Sequence, residues 1–190
     1  MSGTSAAPDR AERAADVGMW LFTASLVMLM ASLVSGYVLL RTGSALWPMP
    51  WRRSGFAAVA DPWFRLLWLA VAASTARAAW RGTPDPGSWL ARYPLPLSAI
   101  AGAIFVARTV SAGVALIGEG HGPASHIAPA TWFALNGMVA ALAAGGVVTT
   151  TAVTLAATGA VRSRRAGLLF RYWAVLTLCF AAIAVGMYLL

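Results

Sequence analysis

Hydrophobic and polar positions along this chain fall into long blocks, not into the short periods of a water-soluble fold. Residues 1–16 are polar and mixed in charge, with Asp9, Arg10, Glu12, Arg13 and Asp16, which predicts a mobile tail. Residues 17–40 then carry no charge and are bracketed by Asp16 and Arg41. As a helix this run rises about 36 Å, enough to cross a hydrocarbon core of roughly 30 Å. A secretory leader has a shorter apolar core, about 7–15 residues behind a basic segment, so this run is expected to stay as a span. Further spans are predicted at 62–80, 94–117, 129–158 and 167–190. Pro62 opens the second of these, where a missing N–H leaves no bond unmade. Only residues 66–76 of that span are free of charge, so Arg65 and Arg77 are expected to snorkel toward opposite interfaces. The fourth is longer than the core requires and must tilt or project. The pattern therefore predicts an all-α fold, an integral membrane bundle of five transmembrane helices.

Composition supports the same class. The chain is 59% hydrophobic and 11% charged, where soluble domains carry roughly a quarter charged residues. So few charges cannot cover a soluble surface, and so much apolar mass does not stay disordered. The basic residues are all arginine and the net charge is +8. In a soluble chain that charge would suggest nucleic acid, but here the arginines flank apolar spans and set orientation. Arg10, Arg13, Arg81, Arg92, Arg162, Arg164, Arg165 and Arg171 fall on one side, against Arg41, Arg52 and Arg53 on the other. This places the N-terminus in the cytoplasm and, with five spans, the C-terminus in the periplasm. Tryptophans fall at both interfaces, Trp47, Trp51, Trp63 and Trp132 at one and Trp20, Trp80, Trp89 and Trp173 at the other, as an aromatic belt would.

Candidate chemistry is sparse. The single cysteine, Cys179, lies in an apolar run, so a disulfide within the chain and a CxxC site are both excluded. His121 and His126 share one short outer loop with Glu119, which reads as a solvated polar loop or, less readily, a surface metal site. No histidine lies in a span, so the chain is not expected to ligate haem or copper within the membrane. None of the six acids lies in a span either, which argues against a carboxylate-driven transporter. Phosphate-cradling loops, nucleophile elbows and HExxH are absent from the sequence. Within the spans, Arg108 lies about 13 Å and Asn136 about 10 Å from the same face, so a contact between them fits. Arg108 reads either as a contact to lipid headgroup or partner subunit, or as an arginine snorkelling to outer-leaflet phosphates. The fourth span is rich in small residues (Gly137, Ala140, Ala141, Ala143, Ala144, Gly145, Gly146), which permit close helix approach in lipid.

The first span reads Gly18-Met19-Trp20-Leu21-Phe22-Thr23-Ala24-Ser25, continues Val27-Met28 and closes Gly36-Tyr37-Val38-Leu39-Leu40-Arg41, with Trp47-Pro48 following. This resembles the cytochrome c oxidase subunit III family, whose GMWLF-ASE-M helix ends in a tyrosine-leucine-arginine stretch before a WP loop. Phe133-Ala134-Leu135-Asn136-Gly137-Met138 and Arg171-Tyr172-Trp173 stand where the family has its phenylalanine-histidine-glycine entrance and its tyrosine-tryptophan-histidine motif. Five spans with the N-terminus inside are similar to the shorter bacterial members. The family glutamate is Leu26 here, its helix-four histidine is Asn136, and the histidine and acid of its last helix are Ala174 and Thr177. The proton-uptake role linked to that glutamate therefore does not carry over.

The resemblance implies an accessory, non-redox subunit of a haem-copper terminal oxidase in a bacterial inner membrane. It would pack on the catalytic subunit I and its subunit II and hold phospholipid. Haem and copper would sit in the partner, with no cofactor in this chain and no nucleic acid bound. Trp20, Ser25, Tyr37, Arg41, Trp47, Arg108, Asn136 and Trp173 are the residues expected at lipid or subunit contacts. The same scaffold attached to a nitric oxide reductase is the alternative, and a small multi-span transporter or an unassigned five-helix membrane protein is an alternative of another class.

Overall fold

The computed structural model describes residues 10–43, 61–81, 93–156 and 159–188, and all its elements are α-helical. The helices are α1 (Arg10–Gly43), α2 (Pro62–Arg81), α3 (Pro94–Gly118), α4 (Ile127–Ala156) and α5 (Gly159–Tyr188). Four of them, α1, α3, α4 and α5, are long and apolar enough to cross a membrane. The fold is a helical bundle suited to a bilayer.

Helices α2 to α5 close into a ring of neighbours, α2 against α3 and α5, and α4 against α3 and α5, while α1 leans on the outside of α5. Helix α5 supplies the seam. Ala166, Leu169, Trp173, Leu176, Phe180, Ile183 and Met187 are all buried, and their spacing alternates three and four residues. That is the register in which one helix keeps a single face toward its neighbours. Helix α2, unlike the others, is not apolar along its whole length, because three arginines fall within its 20 residues. It buries one stripe, Arg65, Leu69, Ala72 and Ala76, and wedges between α3 and α5. Asp61 starts it by accepting the backbone N–H groups of Trp63 (3.0 Å) and Phe64 (3.4 Å), with Pro62 in the first helical position.

The turn after α3 is fixed by Gly120, whose φ of +80° favours glycine. The Gly120 N–H donates to Ile117 O and the His121 N–H to Leu116 O, which ties off the helix's last carbonyls. The chain then re-enters as α4 within a few residues, so α3 and α4 run antiparallel.

Several boundaries differ from the hydropathy reading. Helix α1 begins at Arg10, so residues 10–16 are helix and not mobile tail. Helix α4 starts at Ile127, ahead of the expected 129, and α5 at Gly159, ahead of the expected 167, while residues 157–158 and 189–190 lie outside the described residues. Hydropathy marks where a bilayer would begin, whereas Ala, Arg and Glu continue a helix beyond that point at little cost.

Candidate functional site

The bundle has an Arg41 end, where α1 finishes and α2 begins, and an Asp16 end opposite. At the Arg41 end the Arg41 guanidinium donates to the Tyr37 hydroxyl (3.2 Å) and to Gly186 O (3.2 Å). Gly186 is in the last turn of α5, whose carbonyls have no partner within the helix. Tyr37 is itself buried, so the two residues pin α1 to α5.

Below them lies the most unusual group in the fold. Arg65 is 2% exposed and donates to Asn136 Oδ1 at 2.9 Å. Its guanidinium carbon lies 5.6 Å from the Trp132 ring centroid and 5.4 Å from that of Phe180. The rings present their negative faces to the cation, a favourable arrangement in a desolvated site. The Asn136 amide donates in turn to Trp132 O at 3.0 Å. Arg65 is therefore an interior residue and does not snorkel, because position 65 falls in the buried stripe of α2. Nor does Asn136 meet Arg108. Arg108 is exposed on the α2–α3 flank, 5.1 Å over the Phe64 ring.

Trp173 and Trp132 are also interior, at 0% and 2% exposure, and do not belong to an interfacial belt. The Trp173 ring fills a slot made by two glycines. A Cβ on Gly102 would stand 2.4 Å from the ring, and one on Gly146 3.0 Å. The indole N–H donates to Thr150 Oγ1 at 3.2 Å. Of the other tryptophans, Trp20, Trp63 and Trp80 are exposed, while Trp47, Trp51 and Trp89 lie outside the described residues. Ser25 faces outward, and Leu26, where the resembled family has its glutamate, is buried.

At the Asp16 end the Asp16 carboxylate faces Arg164 (3.5 Å) and Arg171 (3.7 Å), and Arg171 lies 5.7 Å over the Trp20 ring. Just inside them a groove of about 510 Å³ opens between α1 and α4 with α5 as its floor. Met19, Phe22, Met138, Leu169 and Tyr172 line it, and Gly145 leaves it deep because no side chain fills that point. The Tyr172 hydroxyl donates to Leu142 O at its edge. Two adjacent small residues of α4 thus do two jobs, Gly146 seating the Trp173 ring while Gly145 faces open space.

The predicted residues do not form one cluster. Tyr37 and Arg41 meet, Asn136 and Trp173 are separate interior points, and Trp20, Ser25 and Arg108 lie on three parts of the surface. Sequence reading missed Arg65, Asp16 and Gly102. Arg65 was detectable, since it falls in register with Leu69, Ala72 and Ala76. Among the described residues no group of three or more His, Cys, Asp or Glu side chains could hold a metal, and the His126 ring nitrogen Nδ1 accepts the Ile127 N–H (3.0 Å). No family model matches the chain, and no curated protein matches it.

Proposed function

We propose that this chain is an accessory, non-redox subunit III-like component of a haem-copper terminal oxidase in a bacterial inner membrane. All five helices cross the bilayer in this reading, α2 as an inner wedge, with the Asp16 end cytoplasmic and the Arg41 end periplasmic. The excess of arginine at the Asp16 end supports that orientation. The observation that carries the proposal is the place of the resembling motif. Its residues 18–41 lie on α1, the helix whose apolar side chains are least covered by the rest of the bundle, Trp20, Leu21, Met28 and Leu39 among them. A helix with so much open apolar surface suits a second membrane protein or lipid. Electron transfer and oxygen reduction would belong to the partner, and this chain would pack, orient and hold lipid.

The test is isolation of the tagged chain from its own membranes in mild detergent, with a reduced-minus-oxidised visible spectrum and mass spectrometry. Haem bands accompanied by a large multi-span, histidine-rich protein are expected. A colourless chain isolated alone sinks the proposal. The groove at the Asp16 end gives a second expectation. Its volume of about 510 Å³ is in the range of ligand pockets, and its lining suits an acyl chain. Gly145→Leu should lower the phospholipid phosphorus retained by about one molecule per chain, the capacity of a pocket this size. Unchanged phosphorus would show that the groove holds no lipid.

A further inference from the structure

Helix α1 is held unevenly along its length. Its buried side chains, Leu26, Met30 and Tyr37, lie toward the Arg41 end, with Leu33 and Val34 packed beside them. From Arg13 to Ser25 no side chain is buried. The fastenings at the two ends also differ in kind. At one end Arg41 donates hydrogen bonds to Tyr37 and, across to α5, to Gly186 O. At the other, the Asp16 carboxylate stands 3.5 Å from Arg164 and 3.7 Å from Arg171, all three side chains half-exposed. Charge-assisted hydrogen bonds are shorter, about 2.7–2.9 Å. The Arg171 Nη1 that faces Asp16 is enclosed and makes no hydrogen bond among the described residues. Ion pairs this open contribute little and weaken with salt. Between the two fastenings, the groove of about 510 Å³ separates Met19 and Phe22 from α4. Along α4 it runs from Met138 to Thr149, or about 16 Å, close to half of a hydrocarbon core of roughly 30 Å. Ser35-Gly36 comes just before Tyr37, and a Cβ on Gly36 would meet nothing within 4 Å. Glycine–serine pairs are places where helices bend.

We propose that α1 is a hinged wall of this groove, with Asp16 as its latch. The helix pivots at Ser35-Gly36, beside the Tyr37–Arg41 anchor. It swings outward at the Asp16 end when the ion pairs to Arg164 and Arg171 part, and so opens the groove sideways to one leaflet of the bilayer. The movement is small where α1 is packed and large where it is not. Met30 lies about 9 Å and Asp16 about 30 Å from Gly36 along the helix, so a tilt of about 10° shifts them by about 2 Å and about 5 Å. Phe22, which stacks on the Tyr172 ring at 6.0 Å and is 47% exposed, moves with the opening edge. The proposal needs a chain that spans a membrane and no oxidase partner, so it stands or falls apart from the proposed function.

The experiment measures distances between paired spin labels by pulsed electron paramagnetic resonance, on the full chain with Cys179→Ala in phosphatidylcholine nanodiscs. Labels at Val17 and Val148 report the Asp16 end, and labels at Leu39 and Ile127 the Arg41 end. All four positions are exposed and lie outside the latch and the groove lining. At low salt the parent chain should show one main Val17–Val148 distance. Asp16→Asn should add a population longer by about 5 Å, the displacement of a 10° tilt, whereas Asp16→Glu should keep the parent distance. Sodium chloride at about 1 M, where the screening length is about 3 Å, should produce the same longer population in the parent and add nothing in Asp16→Asn. The Leu39–Ile127 distance should stay constant throughout, which shows that the variants fold and that the anchor holds. A Val17–Val148 distance unmoved by Asp16→Asn or unmoved by salt would overturn the proposal. So would lengthening at both ends, which would mean that α1 leaves the bundle as a whole.

Discussion

Asn136→Leu is expected to destabilise the chain by about 3 kcal/mol, because it takes the oxygen acceptor from a buried guanidinium and leaves a hydrocarbon side chain there. At roughly 2–4 °C per kcal/mol for a chain of this size, the thermal midpoint in detergent should fall by about 10 °C. The comparison with Arg65→Met gives the effect its meaning. That change removes the charge itself and leaves only a neutral amide short of a donor, so its cost should be smaller, about 1–2 kcal/mol. Methionine also fills the space between the Trp132 and Phe180 rings, whose centroids lie 5.6 and 5.4 Å from the Arg65 guanidinium carbon. The double variant Arg65→Met, Asn136→Leu should recover most of the loss, since replacing a whole buried polar pair by apolar residues is often neutral. Circular dichroism melts of the four proteins close a double-mutant cycle. Additive losses, or an Asn136→Leu midpoint equal to that of the parent, would show that the 2.9 Å bond contributes nothing to the fold.

The Arg65 group also shows what the sequence made legible and what it did not. Four spans could be read from hydropathy because their apolar runs are long and broken by no more than a single arginine, Arg108 in one and Arg171 in another. Helix α2 could not be ranked that way. Its three arginines lower the average, although its Leu69, Ala72 and Ala76 face is wholly buried. Burial depends on which face a residue occupies, and an average along the chain has no face. The tryptophans repeat the lesson. Position near a span's end suggested an interfacial belt, and Trp20, Trp63 and Trp80 are exposed as such positions allow. Trp132, in the second turn of α4, stands near a helix end but on the inward side, and Trp173 lies midway along α5, where the three-four spacing around it already encoded its burial. What no spacing revealed is the difference between Gly145 and Gly146. The two are adjacent and alike in composition, and only the neighbouring helices decide that one bounds an open groove while the other bounds an indole.

That indole gives the other large expected effect. Trp173→Ala should cost about 3–5 kcal/mol, the range for truncating a fully buried aromatic side chain. The loss includes the hydrogen bond that the indole N–H donates to Thr150 Oγ1, whose hydroxyl keeps its own bond to Gly146 O. The slot around the ring makes a stricter test. Gly102→Ala would bring a methyl group to 2.4 Å from the ring and 2.9 Å from Val147 Cγ2, and a rigid indole cannot yield as a flexible chain end would. The overpacking should cost about 1–3 kcal/mol in the parent chain. In a Trp173→Leu background the clash with the ring is gone and only the approach to Val147 Cγ2 remains, so Gly102→Ala should cost less there than in the parent chain. Gly137→Ala serves as the control, because nothing lies within 4 Å of the added carbon and alanine is the better helix former. Thermal melts of these variants separate close packing from ordinary propensity. If Gly102→Ala is as harmless as Gly137→Ala in the parent chain, the indole does not set the approach of α3 to α4 and α5.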